Sequence, residues 1–111
     1  MSNRIEIIDY NGRKVICTDS QWHRHIVKNH EIMARNQKAI EDTIQYPDKV
    51  YTSDSNTNRN VFFKISTYAT YATKYRTKVI VEYEEDNTGN IITAFPVKDE
   101  KGGIGDVVYP E

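Results

Sequence analysis

Cysteine and long apolar runs are scarce in this sequence, and each scarcity excludes a class of protein. Cys17 is the only cysteine among 111 residues, so the chain cannot form an internal disulfide or a cysteine-based metal cluster. No apolar stretch approaches the about 20 residues that a membrane-spanning helix needs. The N-terminal residues also lack the apolar core of a signal peptide. We therefore expect a protein of the reducing cytoplasm with no membrane segment.

Glycine-based phosphate motifs are missing as well. The sequence contains five glycines, and none belongs to a Walker motif or to a dinucleotide-binding fingerprint. With 28% charged residues and a net charge of −1, the composition is that of an ordinary globular chain and not of a disordered one. The length predicts one domain, which we place at residues 1–97, followed by a flexible, glycine-containing C-terminal tail at residues 98–111.

Acidic residues are absent from one long window, residues 55–81. The window contains five basic residues: Arg59, Lys64, Lys74, Arg76 and Lys78. The rest of the chain holds ten basic and sixteen acidic residues, so the near-zero net charge hides a strong local asymmetry. Such a concentration of cations can bind the phosphates of a nucleic acid, but it can also be an ordinary solvated face.

Tyrosine and threonine recur in the same window, in the segment Thr67–Tyr75. Tyr68 and Tyr71 could stack on nucleotide bases while Lys74 and Arg76 bind the phosphates. The alternative is an extended hairpin, in which tyrosine and threonine occur because they favour strands. The sequence leaves both interpretations open.

Several short segments carry strand signals. Asn11-Gly12 between two short apolar runs predicts an N-terminal β-hairpin, because both residues tolerate the backbone angles of a tight turn. Four further strands are predicted after Pro47, at residues 49–52, 61–65, 78–83 and 91–97. Their short connections favour an antiparallel sheet. We predict an α+β fold in which an N-terminal β-hairpin and two helices pack on a roughly four-stranded antiparallel sheet.

The region between the hairpin and Pro47 carries helix signals. Thr18 and Gln21 fit a capping box that begins a helix near Asp19. Apolar residues at helical spacing form one stripe, made of Trp22, Ile26, Met33, Ile40 and Ile44. The pattern allows one long helix or two helices broken near residues 29–33, and typical helix lengths favour two.

All three histidines lie within eight residues, between Trp22 and Glu31. Histidine is the side chain whose ordinary pKa allows proton transfer near neutral pH. On a helical wheel of about 100° per residue, His25 and His30 fall on opposite borders of the apolar stripe, and His23 falls close to His30. A border position is half-buried, which suits a catalytic group that contacts both protein and substrate.

The spacing of the histidines argues against a shared metal ion. Helical ligands of one metal usually lie three or four residues apart, whereas these are separated by two, five and seven residues. We therefore predict no metal and no other cofactor. Metal-free RNA cleavage needs a base for the 2′-OH proton, an acid for the leaving 5′-oxygen and cations at the phosphorane, which histidine, lysine and arginine can supply. The alternative is that the histidines hydrogen-bond across a helix–sheet interface.

The residues around the histidines resemble a known group of ribonucleases. Trp22-x-x-His25-Ile26-x-x-x-His30-Glu31 is similar to the opening motif of phage and polymorphic-toxin members of the barnase–EndoU–colicin–RelE (BECR) ribonuclease-like superfamily. Later motifs follow in the same order: Ile44-x-x-Pro47-Asp48-x-Val50, Phe62-Phe63-Lys64, Lys78-Val79-Ile80-Val81 and Ile91-Ile92-Thr93-Ala94-Phe95. The resemblance covers most of the chain, from Trp22 to Val97.

The resemblance implies a fold, an activity and a set of site residues. The implied fold has two helices on a four-stranded antiparallel sheet, and the implied activity is metal-independent endoribonucleolytic cleavage that leaves a 2′,3′-cyclic phosphate. The residues at the family's catalytic positions are His25, His30, Lys64, Lys78 and Thr93. In the interpretation that follows, the histidines act as acid and base, the lysines stabilise the transition state, and Thr93 donates to a phosphate oxygen. The substrate-binding residues would be Arg59, Tyr68, Tyr71, Lys74 and Arg76.

The partners expected from this interpretation are RNA, including tRNA or ribosome-associated RNA, and a cognate immunity or antitoxin protein. A toxin-like nuclease would act in the cytoplasm, either that of its own cell or that of a target cell into which it is delivered. The alternative function is a catalytically inactive module of a phage or mobile element that binds nucleic acid or protein, because a fold can persist after its chemistry is lost.

Overall fold

The Asn11-Gly12 turn joins two strands, β1 (Asn3–Ile8) and β2 (Lys14–Thr18), into the predicted antiparallel hairpin. The structure is a computed structural model and describes residues 2–111. Gly12 has a φ of +81°, which a residue without a Cβ adopts at little cost. The Asp9 amide donates to the Arg13 carbonyl oxygen at 2.8 Å and closes the turn.

Thr18 begins the helical region as predicted, because its hydroxyl accepts a hydrogen bond from the Gln21 amide at 3.1 Å. The Gln21 side chain does not complete the capping box, since it donates to the carbonyl oxygen of Ile92 at 2.6 Å. Four helical segments follow: α1 (Asp19–Gln21), a π-helical segment (Trp22–Val27), a 3₁₀-helix (Glu31–Arg35) and α2 (Gln37–Gln45). His30 interrupts them, since its φ of −141° and ψ of 79° are not helical. The predicted break near residues 29–33 is therefore confirmed. No helix within residues 2–111 is long and apolar enough to cross a bilayer.

Within residues 2–111, seven strands form one sheet in the order β1-β2-β6-β5-β4-β3-β7. Besides the hairpin, the strands are β3 (Lys49–Ser53), β4 (Arg59–Lys64), β5 (Arg76–Tyr83), β6 (Gly89–Val97) and β7 (Ile104–Tyr109). Every neighbouring pair is antiparallel except β2 and β6, which pair in parallel at Val15 with Gly89 and Ile16 with Asn90. The four strands predicted after Pro47 are present, with bounds close to the expected ones.

The predicted fold class is wrong. The fold is a mixed α/β arrangement on a seven-stranded sheet with short helices, not two helices on a four-stranded antiparallel sheet. The N-terminal hairpin does not pack beside the sheet but extends it through the parallel pairing of β2 with β6. The tail expected to be flexible contains β7, which pairs with β3. Both pairings join segments far apart in sequence, and local patterns carry no signal for such partners.

The main core lies between the helical segments and one face of the sheet. The predicted apolar stripe is buried there, with each side chain at most 2% exposed: Trp22, Ile26, Met33, Ile40 and Ile44. A second, smaller cluster of Tyr51, Val61 and Phe63 lies on the opposite face. The loop at residues 98–103 contacts this second cluster, because Glu100 accepts a hydrogen bond from the Tyr51 hydroxyl at 3.0 Å.

The sheet is strongly curved. In a flat sheet with strands about 4.8 Å apart, the two edge strands β1 and β7 would lie roughly 29 Å from each other. Instead, Tyr10, just after β1, contacts Tyr109 at the end of β7, with ring centroids 4.9 Å apart. Tyr10 also contacts Phe62 of β4, and its amide donates to the carbonyl oxygen of Ile44 in α2. The sheet therefore curls around α2 and brings its two edges together at one end.

Candidate functional site

Four of the five cations in the acid-free window donate to acceptors in other segments, and three of these four lie beside a carboxylate. Arg59 donates to Glu82 at 2.8 Å, across the pairing of β4 with β5. Arg76 donates to Glu100 at 3.1 Å and to the Lys98 carbonyl oxygen at 2.6 Å. The ammonium of Lys64 donates to the carbonyl oxygen of Tyr46 at 2.6 Å and lies 3.9 Å from Asp48. These three side chains thus hold strands and loops together, and a phosphate would have to compete with their present partners.

Lys78 is buried, with only 6% of its surface exposed. Its ammonium donates to the carbonyl oxygens of Lys101 at 3.2 Å and Gly102 at 2.8 Å. It also lies 5.8 Å from the ring centroid of Phe63 and 5.4 Å from that of Phe95. Burial lowers the pKa of Lys78, and the charge of nearby Asp54 partly opposes this shift.

The predicted catalytic residues on the strands do not converge on one face of the sheet. Lys64 pairs with Thr77 and Lys78 pairs with Phe63, so the two lysines occupy successive register positions, which point to opposite faces. Lys64 lies on the face that α2 covers, and Lys78 lies on the other face. Thr93 pairs with Ile80, two residues from Lys78, and therefore shares the face of Lys78.

The three histidines lie in different environments. His23 and His25 are exposed, and His30 is half-buried. The predicted border position is therefore found for His30 only. His25 belongs to the π-helical segment, which turns through a smaller angle per residue than an α-helix. His25 is three residues after Trp22, so the smaller rotation per residue places His25 farther from the apolar stripe than an α-helical wheel predicts.

One aromatic ring connects two of the predicted catalytic residues. The imidazole of His30 stacks on Phe95, with centroids 4.7 Å apart and an interplanar angle of 24°. The ammonium of Lys78 approaches the same ring. The structure thus brings His30 and Lys78 to Phe95, and it places Lys64 on the other face of the sheet and the imidazole of His25 in solvent.

A set of exposed cations that the charge pattern did not single out lies on the helical segments. Arg24, Lys28, Arg35 and Lys38 are exposed, and none of them forms a salt bridge within residues 2–111. Glu31 is the only acidic residue between Arg24 and Lys38 in the sequence. We call these four cations the basic surface. The four basic residues can be read from the sequence, but the net charge of the helical region does not reveal them. The flanking residues Asp19, Glu41 and Asp42 offset their positive charge.

The tyrosine-rich segment forms a loop that packs against the helical segments. The Asn36 side chain, 1% exposed, donates to the Thr70 hydroxyl at 2.9 Å and accepts from the Thr70 amide at 2.8 Å. Ser66 donates to Asp42 at 2.8 Å and fixes the start of the loop to α2. The extended hairpin proposed as an alternative is absent from the described residues, since no strand lies between β4 and β5.

The predicted substrate-binding residues of this loop have unequal access to solvent. Tyr68 is 51% exposed, and the ammonium of Lys38 lies 4.8 Å from its ring centroid. Lys74 is exposed and lies 5.4 Å from the ring of Tyr75. Tyr71, in contrast, packs on the main core and hydrogen-bonds to Thr77, and burial raises the pKa of its phenol. Tyr68 and Lys74 can therefore contact a ligand, whereas Tyr71 serves to anchor the loop.

Cys17 is buried. Burial raises the pKa of the Cys17 thiol to about 12, so the thiol stays protonated and behaves as a small apolar side chain. Within the part of the chain that the structure describes, no three histidine, cysteine, aspartate or glutamate side chains are grouped so that they could hold a metal ion.

The arrangement as a whole combines an exposed basic surface, two exposed histidines and an exposed tyrosine on one helical region and its attached loop. Comparisons of the chain with models of protein families, with curated proteins and with solved structures found no match in any of the three.

Proposed function

We propose that this chain binds RNA through the basic surface formed by Arg24, Lys28, Arg35 and Lys38. The single observation that carries this proposal is that these four cations are exposed and have no carboxylate partner in the described structure, whereas Arg59, Lys64 and Arg76 do. An unpaired cation can bind phosphate and release counterions without first breaking an ion pair. Tyr68, beside Lys38, adds an aromatic face on which a base can stack.

Binding through phosphates predicts steep salt dependence, and a charge-matched pair of variants tests it. The binding variant combines Arg24→Gln, Lys28→Gln and Arg35→Gln. The control combines Lys14→Gln, Lys49→Gln and Lys101→Gln, which removes three exposed cations that already have acidic partners. Both variants lose the same net charge, so a difference between them reports the location of the contacts.

The measurement is fluorescence anisotropy with a labelled RNA at salt concentrations from about 50 to about 200 mM. We expect the binding variant to bind at least about tenfold more weakly and its log–log salt slope to fall by about 2, because three phosphate contacts are lost. The control variant should stay close to the wild type. Equal weakening of both variants, or no binding at the lowest salt concentration, would contradict the proposal.

A second function, metal-independent RNA cleavage, is favoured by the exposed imidazole of His25 beside Arg24 and by the contact of His30 and Lys78 with one ring. In such a reaction one group takes the 2′-OH proton, the 2′-oxygen attacks phosphorus, and an acid protonates the departing 5′-oxygen. A cognate immunity or antitoxin protein is expected only if this activity exists.

Incubation of the purified protein with total RNA in EDTA tests the second function. Cleavage that leaves 2′,3′-cyclic phosphate ends and is lost in His25→Ala would support it. Intact RNA, or cleavage that is undiminished in both His25→Ala and Lys64→Ala, would contradict this second function.

A further inference from the structure

A cleft of about 620 Å³ opens next to the basic surface, between the end of the π-helical segment, the 3₁₀-helix and the tyrosine-rich loop. Its lining residues are Val27, Glu31, Ile32, Ala34, Arg35 and Thr70. We propose that this cleft takes one unpaired base of a single-stranded RNA, which makes the chain selective for single strands over duplexes. The inference rests on the proposed RNA-binding function and specifies its substrate class.

The walls of the cleft combine an apolar surface with groups of opposite hydrogen-bonding character. Ile32 is 44% exposed, and Val27 and Ala34 extend the apolar area of the cleft. Glu31 and Arg35 lie four residues apart, yet no salt bridge joins them in the described structure. The carboxylate is free to accept hydrogen bonds and the guanidinium is free to donate them.

This combination fits a base better than a phosphate. A phosphate presents only acceptors, so the Glu31 carboxylate would repel it. The edge of a base presents donors and acceptors together, and its flat face is complementary to the apolar walls. The hydroxyl of Thr70 accepts from Asn36 at 2.9 Å and keeps its own proton to donate. With a base in the cleft, the adjoining phosphates can contact Lys28, which follows Val27 in the chain.

The cleft is held in shape before any ligand binds. Asn36 joins its two sides, since its side-chain amide donates both to Thr70 and to the carbonyl oxygen of Ile32 at 2.8 Å. Asn36 is 1% exposed, so these bonds are shielded from water. A preformed site loses little conformational entropy on binding. The bases of a duplex are stacked and paired, and they cannot enter the cleft without being unpaired first.

The test compares a labelled oligouridylate of about 15 nucleotides with an RNA duplex of about 15 base pairs, both by fluorescence anisotropy. We expect the wild type to bind the single strand at least about tenfold more tightly at equal salt. Ala34→Trp fills the cleft without changing charge, and it should weaken single-strand binding at least about fivefold while changing duplex binding less than about twofold.

A second pair of variants keeps the test decisive if Ala34→Trp does not fold. Ile32→Ala removes part of the apolar wall, and Ile8→Ala removes a similarly exposed isoleucine of β1 outside the cleft. Only Ile32→Ala should weaken single-strand binding. Equal affinity of the wild type for single strand and duplex, or equal effects of the two isoleucine variants, would overturn the inference and leave RNA binding intact. No binding of either RNA would overturn the proposed function as well.

Discussion

Asp9 is the residue on which the N-terminal turn depends. Its side chain is fully buried, and its carboxylate accepts from the Asn11 and Arg13 amides at 2.8 Å each, from the Arg13 guanidinium at 3.0 Å and from the Tyr83 hydroxyl at 2.6 Å. Arg13 also lies over the ring of Tyr83, 3.7 Å from its centroid. A buried carboxylate is tolerated only when its acceptor sites are satisfied, and here hairpin and central strand together satisfy them.

Replacing Tyr83 by phenylalanine removes one of these donors, and its effect depends on pH. At neutral pH we expect the free energy of unfolding to fall by about 1.5–3 kcal/mol, because a hydrogen bond to a buried charge is lost. Burial and the adjacent Asp9 raise the pKa of Tyr83 above its usual value of 10.0. The unfolded chain therefore loses the phenolic proton above about pH 10 while the folded chain keeps it, so wild-type stability falls as pH rises.

The Tyr83→Phe variant has no phenol to ionise at this position and cannot show that alkaline loss. The stability difference between the variant and the wild type should therefore shrink as the pH rises from about 9 to about 11. Denaturant unfolding at several pH values measures it. Tyr46→Phe is the control, because Tyr46 is 68% exposed and its side chain has no hydrogen bond in the described structure. A stability difference between Tyr83→Phe and the wild type that is independent of pH would contradict the claim that burial raises the pKa of Tyr83.

At the scale of elements, the loop at residues 98–103 attaches β7 to the rest of the sheet through charged groups. Glu100 accepts from Tyr51 at 3.0 Å and from Arg76 at 3.1 Å, and it lies 3.9 Å from the ammonium of Lys49. Lys78 donates to two carbonyl oxygens of the same loop. β7 itself is mostly exposed and pairs with β3 in an irregular register. The loop therefore adds polar contacts that help to hold this edge in place.

Glu100→Gln weakens this attachment while preserving its shape. We expect the free energy of unfolding to fall by about 1 kcal/mol, because the partly exposed ion pairs to Arg76 and Lys49 disappear. The loss is small because the hydrogen bond from Tyr51 can remain. Hydrogen exchange should become faster in residues 98–109 and stay unchanged in β5 and β6. Asp99→Asn removes the same charge from an exposed pair with Lys101 and should have little effect. Equal exchange in the two variants would show that Glu100 does not hold the loop.

At the scale of the whole molecule, the hairpin joins the other strands through a short parallel contact. Only Val15 with Gly89 and Ile16 with Asn90 pair directly. A Cβ added at Gly89 would lie 2.7 Å from Val81 and 2.8 Å from Tyr83, closer than side chains can pack. Gly89 is thus required by the close approach of the core at the point where the two parts of the sheet meet.

Gly89→Ala should destabilise the protein by about 1–3 kcal/mol, because the added methyl group overpacks a rigid core. The reason can be checked with a double-mutant cycle. Val81→Ala creates space beside Gly89, so Gly89→Ala should cost less in that background than in the wild type. Denaturant unfolding of the four proteins gives the coupling energy, and purely additive costs would rule out a clash with Val81.

The sequence by itself determined the features whose signals act over a few residues. The Asn11-Gly12 turn, the Thr18 cap, the buried apolar stripe from Trp22 to Ile44 and the four strands after Pro47 all follow from turn chemistry, capping and periodicity. The exposure of His25 could not be obtained in this way, because the wheel assumes an α-helix and the chain forms a π-helical segment there.

Only the tertiary structure decided which charges remain free and which strands are neighbours. The acid-free window suggested a binding face, but Glu82, Asp48 and Glu100 come from other segments to engage Arg59, Lys64 and Arg76. Lys64 and Lys78 are separated by the register of β4 with β5, and β7 and the N-terminal hairpin enlarge the sheet through distant pairings. The physical reason is the same in each case. Ion pairs and strand pairs form between residues that are close in space, and a local sequence pattern does not show which distant residues will be close.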